Sequence, residues 1–294
     1  MDKADLRSIK TPLYKSYKME DFLDLYFYHP LGLFFAKLSC RMAMTPNQVS
    51  IVSMCVGIAG GALLISNKTA FWGFLLIVFS SILDSSDGQL ARMTGNSSLA
   101  GRVLDGLIGY VSFTVAYVAM AMNYYLDSHD FVVFFIMFLA GFFSIIHSGM
   151  YDFYRTSFSK IISGGEFFQR EAKEDLKGFF SVIYSVYNFI QARFAFNHIN
   201  ILKRLQEASL SPEKKEKISR IYDEVNLKNV HFWNMLGDNV KVAGIFIALL
   251  LGKMHWYFYY IIVFMNVIFA IAFVLQRKSD NLFNERIKPF LEES

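Results

Sequence analysis

Two acidic residues stand inside an otherwise apolar stretch, in the run Leu83-Asp84-Ser85-Ser86-Asp87-Gly88-Gln89-Leu90-Ala91-Arg92, and a third follows in Gly101-Arg102-Val103-Leu104-Asp105. On a helix, Asp84, Asp87, Gly88 and Ala91 share an arc of ~100°. Two carboxylates then face one way, flanked by two residues with almost no side chain. Asp105 comes from the next, antiparallel helix. Three carboxylates cannot gather at low dielectric unless something cancels their charge. Oxygen donors with no nearby Cys or His pair favour Mg2+, Mn2+ or Ca2+. A divalent ion held in this way also binds phosphate oxygens and neutralises charge that develops on them. The bare surface at Gly88 and Ala91 admits a flat or bulky ligand, and a pyrophosphate carrying a base fits it. The competing reading is structural ion pairing of these acids with Arg92 and Arg102.

The elements that must position these residues are membrane helices. The 294-residue chain is 54% hydrophobic and only 18% charged, against about 25% charged in soluble domains. This balance excludes a soluble enzyme and a disordered chain. A formal net charge of +4 does not by itself point to nucleic acid. Two cysteines, Cys40 and Cys55, build no disulfide framework. A transmembrane helix needs about 20 apolar residues. Six stretches satisfy this or nearly so, at about 48–67, 70–92, 99–126, 130–154, 231–251 and 255–277. Gly57 and Gly61 in the first permit a close helix contact. The charged N-terminal 25 residues do not read as a secretory signal.

Loop charge sets the orientation. With both termini in the cytoplasm, 26 of the 29 Lys and Arg fall on the inner side. The expected fold is therefore an all-α integral membrane protein with six transmembrane helices, a cytoplasmic juxtamembrane helix before them, and a helical cytoplasmic insertion between the fourth and fifth. Its segments are an interfacial N-terminal stretch (1–46), the first four helices with the acidic run (47–154), the insertion (155–230), the last two helices (231–277) and a cytoplasmic tail (278–294). The stretch 13–44 mixes aromatics with charges and suits a helix lying in the membrane interface. The acids fall near the cytoplasmic face, so the mouth of the site is cytosolic.

The pattern Asp84-x-x-Asp87-Gly88-x-x-Ala91-Arg92-x8-Gly101-x3-Asp105 resembles the signature of the CDP-alcohol phosphatidyltransferases. The Pro46-Asn47 start of the first span is also similar to that family. The resemblance covers about residues 15–155. It implies cleavage of the pyrophosphate of a CDP-linked donor, transfer of the substituted phosphate to an alcohol, and release of CMP, within phospholipid or sphingolipid biosynthesis. By the same resemblance Asp84, Asp87 and Asp105 bind divalent metal, Mg2+ or Mn2+. Asn47, Gly88, Ala91, Arg92 and Gly101 belong to the nucleotide site. The implied partners are a CDP-linked donor, an alcohol acceptor and the lipid bilayer, with no nucleic acid. Relatives of this kind are commonly homodimers.

One position departs from the family. Its pattern continues with an acid four residues after Asp105, where this chain has Gly109. That acid is the family's favoured general base. Either another residue serves, or the site works with a weaker base, or the chain binds nucleotide and lipid without turnover. His147, inside the fourth span, and Asp152, one turn nearer the cytosol, are the candidate bases. The competing readings are a packing histidine and an ion pair of Asp152 with Arg155. Arg155, Asp238 and Lys241 are candidates for holding an acceptor phosphate or the donor pyrophosphate. These basic residues favour CDP-diacylglycerol with a polar acceptor such as inositol or inositol phosphate. A CDP-polar alcohol with a lipid hydroxyl is the alternative. A transporter would place its charges at the midplane, whereas these acids gather at one face.

Overall fold

The computed structural model describes residues 19–95, 99–167, 179–208 and 210–292, with the side chains of 99–108, 179–184 and 186–187 outside the described set. Among the described residues there are helices and turns and no strand. The chain divides into two compact units.

The first unit takes the chain as far as Gly141 together with Val242–Tyr260. Its elements are α1 (His29–Arg41), reached through a π-helical turn at Asp24–Tyr28, then α2 (Pro46–Leu63), α3 (Ala70–Thr94) and α4 (Leu99–Ser128), with the start of α5 (Val132–Ile162). Most of α9 (Asp238–Leu250) and the short α10 (Trp256–Tyr259) complete it. α2 begins at a defined residue. Thr45 is extended and its hydroxyl accepts from the Gln48 amide, while the Gln48 side chain accepts from the Thr45 amide. Pro46 follows at the first helical position, where its missing N–H is no loss.

α2 packs backbone to backbone against α3 and against α4. A Cβ on Gly60 would lie 2.8 Å from the Gly73 carbonyl, and one on Gly61 would lie 2.9 Å from the Ala116 amide. Gly57 leaves room for the Ser112 and Ser80 hydroxyls. Ser53 and Ser80 donate to each other's carbonyls at 2.9 and 2.8 Å. Between apolar helices in lipid, such close approach supplies the packing that hydrophobic burial cannot. α1 lies across α3, and Ala36, Val49 and Leu90 form a small core where α1, α2 and α3 meet. Its outer side carries Phe27, Leu31, Phe34 and Leu38, at helical spacing for one apolar stripe.

The second unit takes Phe142–Lys241 together with the chain from Ile261. It holds the rest of α5, α6 (Phe179–Phe194), α7 (Phe196–Glu207), α8 (Pro212–Asn234) and α11 (Asn266–Glu292), which follows a π-helical turn at Tyr260–Met265. Ser211 caps α8 by accepting from the Lys214 amide. α11 packs along α8 and α7. A buried polar network ties these helices. Asp280 Oδ1 accepts from His198 Nδ1 at 2.6 Å and from Gln276 Nε2 at 2.8 Å. Gln276 also donates to Asn226 and accepts from the Trp233 indole. The Tyr222 hydroxyl meets His198 Nε2 at 3.0 Å. Burial and the nearby Asp280 raise the Tyr222 pKa well above its ordinary value, which keeps the phenol protonated.

Among the described residues, four helices are long and apolar enough to cross a membrane: Pro46–Leu63, Ala70–Thr94, Val132–Ile162 and Trp256–Glu292. They coincide with four of the six expected spans. The expected span over 231–251 is divided. α8 runs on to Asn234, a turn occupies 235–237, and α9 has only 13 residues. Gly237 makes this turn possible, since a Cβ there would press on the Asn234 carbonyl at 3.1 Å and the Tyr151 ring at 3.2 Å. The fourth helix extends past the expected end at 277, so the predicted tail is helical through Glu292.

Candidate active site

The acidic run forms the last three turns of α3, which ends at Gly95 with positive φ. Helical geometry separates its residues onto three sides. On the side facing α1, Ser85 meets His29 Nδ1 at 3.1 Å, and Gln89 donates to the His29 carbonyl at 3.0 Å. His29 in turn faces Glu20 at 3.4 Å. Gly32 allows this contact, because a Cβ there would lie 2.8 Å from the Ser85 hydroxyl. On the side facing α2, Asp87 is 5% exposed and its Oδ2 accepts from the Ser50 hydroxyl. Between these two flanks lies the third side, with Asp84 exposed and Gly88 and Ala91 half-buried.

Gly88 differs from the packing glycines of the same unit. Among the described residues, a Cβ there would meet only Arg92 Nη1, at an ordinary 3.6 Å. None of the described helices packs closely enough on this position to require a glycine. Arg92 lies within electrostatic range of Asp87 and Glu20. Asn47 is exposed in the first turn of α2, three residues before Ser50. Gly101 and Asp105 are on α4, and their side-chain surroundings lie outside the described residues. Among the described residues no set of three His, Cys, Asp or Glu is gathered for a metal. The two carboxylates of α3 supply hard oxygen donors of the kind that Mg2+ and Mn2+ take. Gly109 lies on α4, and among the described residues a Cβ there would meet nothing within 4 Å.

The remaining candidates belong to the second unit. His147 is fully buried. Its Nε2 meets Asn266 Oδ1 at 3.1 Å, and the Asn266 amide nitrogen donates to the Ile262 carbonyl. That fixes the Asn oxygen toward the ring, so Nε2 carries the proton. The ring stacks on Phe143 and touches Phe269. Asp152 is exposed on α5. Arg155 lies over the Tyr151 ring at 5.5 Å and donates to its hydroxyl. Lys241 is 2% exposed and donates to Ser148 and, at 3.0 Å, to Asp238. The structure thus brings Asp238 and Lys241 together, and it groups Asp84, Asp87, Gly88, Ala91 and Arg92 on one helix end.

Sequence reasoning missed Ser50, His29, Ser85, Gln89 and Ser148. Ser50 carried a usable signal, one helical turn after Pro46. The others are ordinary polar residues whose partners are set by packing.

With this geometry in view, similarity to known proteins is specific. The profile of the CDP-alcohol phosphatidyltransferase family matches residues 43–161. Over that region, which holds α2, α3, α4 and nearly all of α5, the chain matches that family. The match and the four apolar helices make it a multi-pass membrane protein. A phosphatidylinositol phosphate synthase of Corynebacterium glutamicum is 34% identical over 70 residues, 24% of this chain and 32% of that protein. One of Mycolicibacterium smegmatis is 30% identical over 70 residues, 24% and 32% respectively. A protein of Mycobacterium tuberculosis provisionally named cardiolipin synthase is 32% identical over 65 residues, 22% and 31%. The chain therefore spans about a third of the length of the curated relatives it matches. No solved structure matches it.

Proposed function

We propose that this protein transfers a substituted phosphate from a CDP-linked donor to an alcohol and releases CMP. The observation that carries the reading is the outer side of the α3 end, where an exposed and a buried carboxylate flank a glycine that no described helix packs against closely. Gly88 and Ala91 would take the cytidine, with Arg92, Gly101 and Asn47 around it. Asp84, Asp87 and Asp105 would hold Mg2+ or Mn2+. An ion so held supplies neutralisation of the charge on the departing CMP phosphate.

The donor favoured is CDP-diacylglycerol, and the acceptor a polyol such as inositol or inositol phosphate. The names of two relatives support this choice, as do the buried Lys241 and the half-buried Arg155, which suit an anionic acceptor. In the transfer, the acceptor oxygen forms a bond to the distal phosphorus, the bond from that phosphorus to the CMP oxygen breaks, and the hydroxyl proton passes to a base. His147 gives its one ring proton to Asn266 and has no exposed atom. Asp152, exposed on the same helix, is the candidate base that solvent can reach. The site would open to the cytosol.

Gly109 favours a second reading, a protein that binds CDP-lipid with little or no turnover, because no carboxylate stands where the family has one. The deciding experiment measures CMP release by purified protein with CDP-diacylglycerol, Mn2+ or Mg2+ and a panel of polyols, with Asp87→Asn as blank. Metal-dependent CMP above the blank supports transfer, and the stimulating polyol identifies the acceptor. Metal-dependent binding without CMP supports the second reading. CMP release only with CDP-ethanolamine or CDP-choline and diacylglycerol would reverse the roles of donor and acceptor.

A further inference from the structure

The strongest unassigned contact in the first unit is between Ser50 and Asp87. Both residues are 5% exposed. The Ser50 hydroxyl lies 2.5 Å from Asp87 Oδ2 and 3.1 Å from the Pro46 carbonyl of its own helix. A hydroxyl has one proton to give. A carboxylate is the stronger acceptor, by about twofold over a neutral carbonyl, and it is also the nearer one. The proton therefore goes to Asp87, and one oxygen of that carboxylate is engaged from the α2 side.

We propose that Ser50 is a positioning residue for the Asp87 carboxylate: by engaging Oδ2 from the α2 side, it helps to hold that carboxylate in one orientation at the end of α3. The inference rests on the reading of Asp84 and Asp87 as ligands of a divalent ion. The placement of Ser50 is built into the sequence. Thr45 and Gln48 fix where α2 starts, and Val49, 2% exposed, locks the next residue against Ala36 and Leu90. Ser50 is then turned to α3 one turn below the helix start. Without this hydroxyl the carboxylate loses one of the contacts that set its orientation. Outer partners that orient metal-ligating groups typically change metal affinity by about 10–100-fold when removed.

The experiment compares Ser50→Thr with Ser50→Val in the full-length protein in detergent. The two side chains share one shape and differ in the hydroxyl. Direct Mn2+ binding is followed by electron paramagnetic resonance, with thermal unfolding measured alongside. Ser50→Thr should bind Mn2+ within about threefold of wild type, and Ser50→Val about tenfold or more weakly, with similar unfolding midpoints for the two. In CMP release the loss in Ser50→Val should be recovered in part by raising Mn2+, which a general packing defect would not allow. Equal Mn2+ affinity in Thr and Val variants overturns the role of Ser50 while leaving the metal site standing. Mn2+ binding that is absent in wild type, or unchanged in Asp87→Asn, overturns the metal site and this inference with it. If Ser50→Val does not fold, Ser50→Ala against Ser50→Thr makes the same comparison.

Discussion

Asp87 and Asp280 are both buried carboxylates, 5% and 3% exposed, yet their surroundings differ. Asp280 is closed. Its Oδ1 takes protons from His198 and Gln276, and the chain continues through Tyr222, Asn226 and Trp233. Every member is fixed by protein groups from α7, α8 and α11. Asp87 sits beside an exposed acid, a glycine that no described helix packs against closely, and a half-buried arginine. A buried charge satisfied by a complete network rigidifies its region. The residue type does not distinguish the two; the neighbours do.

The largest expected effect removes the acid of the first region. Asp87→Asn should reduce CMP release to background while the unfolding midpoint in detergent stays near wild type. Asp84→Asn should behave alike. Retained turnover in both variants would sink the assignment. Next comes the second region, with the opposite signature. His198→Ala leaves Asp280 buried without its imidazole partner, and breaking such a pair costs about 3–5 kcal/mol. The unfolding midpoint should fall strongly, and activity at permissive temperature should persist. Loss of activity with an unmoved midpoint would show that the network serves chemistry.

Two glycine substitutions sharpen the contrast inside the first unit. Gly60→Ala forces a Cβ to 2.8 Å from the Gly73 carbonyl, and overpacking of this kind costs about 1–3 kcal/mol. Gly88→Ala meets only the movable end of Arg92 at 3.6 Å. It should leave stability unchanged and raise KM for the CDP-linked donor about 10- to 100-fold, the range a methyl group commands in a tight pocket. The reverse outcome, a destabilised Gly88→Ala with normal KM, would make Gly88 a packing glycine after all. The smallest effect belongs to the exposed pair Glu213–Lys217 on α8. A hydrogen bond from Lys217 and its charge hold the Glu213 carboxyl below its usual pKa. The pair's contribution is thus present at neutral pH and disappears as pH falls through that lowered value. Solvent screens it, so Lys217→Gln should not move the unfolding midpoint measurably.

The acidic run was legible because it is local. Asp84, Asp87, Gly88 and Ala91 share one helical side through spacing alone, and the surrounding apolar residues announce the helix. Pro46 likewise announced the start of α2. What the sequence could not give depends on contacts over long separations. Ser50 reaches Asp87 across 37 positions, and His198 reaches Asp280 across 82. No periodicity encodes such pairs. The expected span at 231–251 failed for a related reason. The apolar count runs through Met235-Leu236-Gly237, but Gly237 is used for a turn against Tyr151, and a hydropathy window does not register the turn. His147 drew attention as a lone histidine in an apolar helix. Its partner, Asn266, lies 119 positions away, so its engagement was invisible.

The cap formed by Thr45 and Gln48 has a consequence for how this chain can change. It acts as a zero mark from which the angular phase of α2 is counted. Each residue advances the helix by about 100°. One residue inserted between the cap and Ser50 would swing the hydroxyl away from Asp87, although every side chain in the acidic run would be intact. The interval of five positions from Thr45 to Ser50 is therefore as restrictive as the spacing among the acids themselves, and it is a second ruler by which chains of this architecture can be compared.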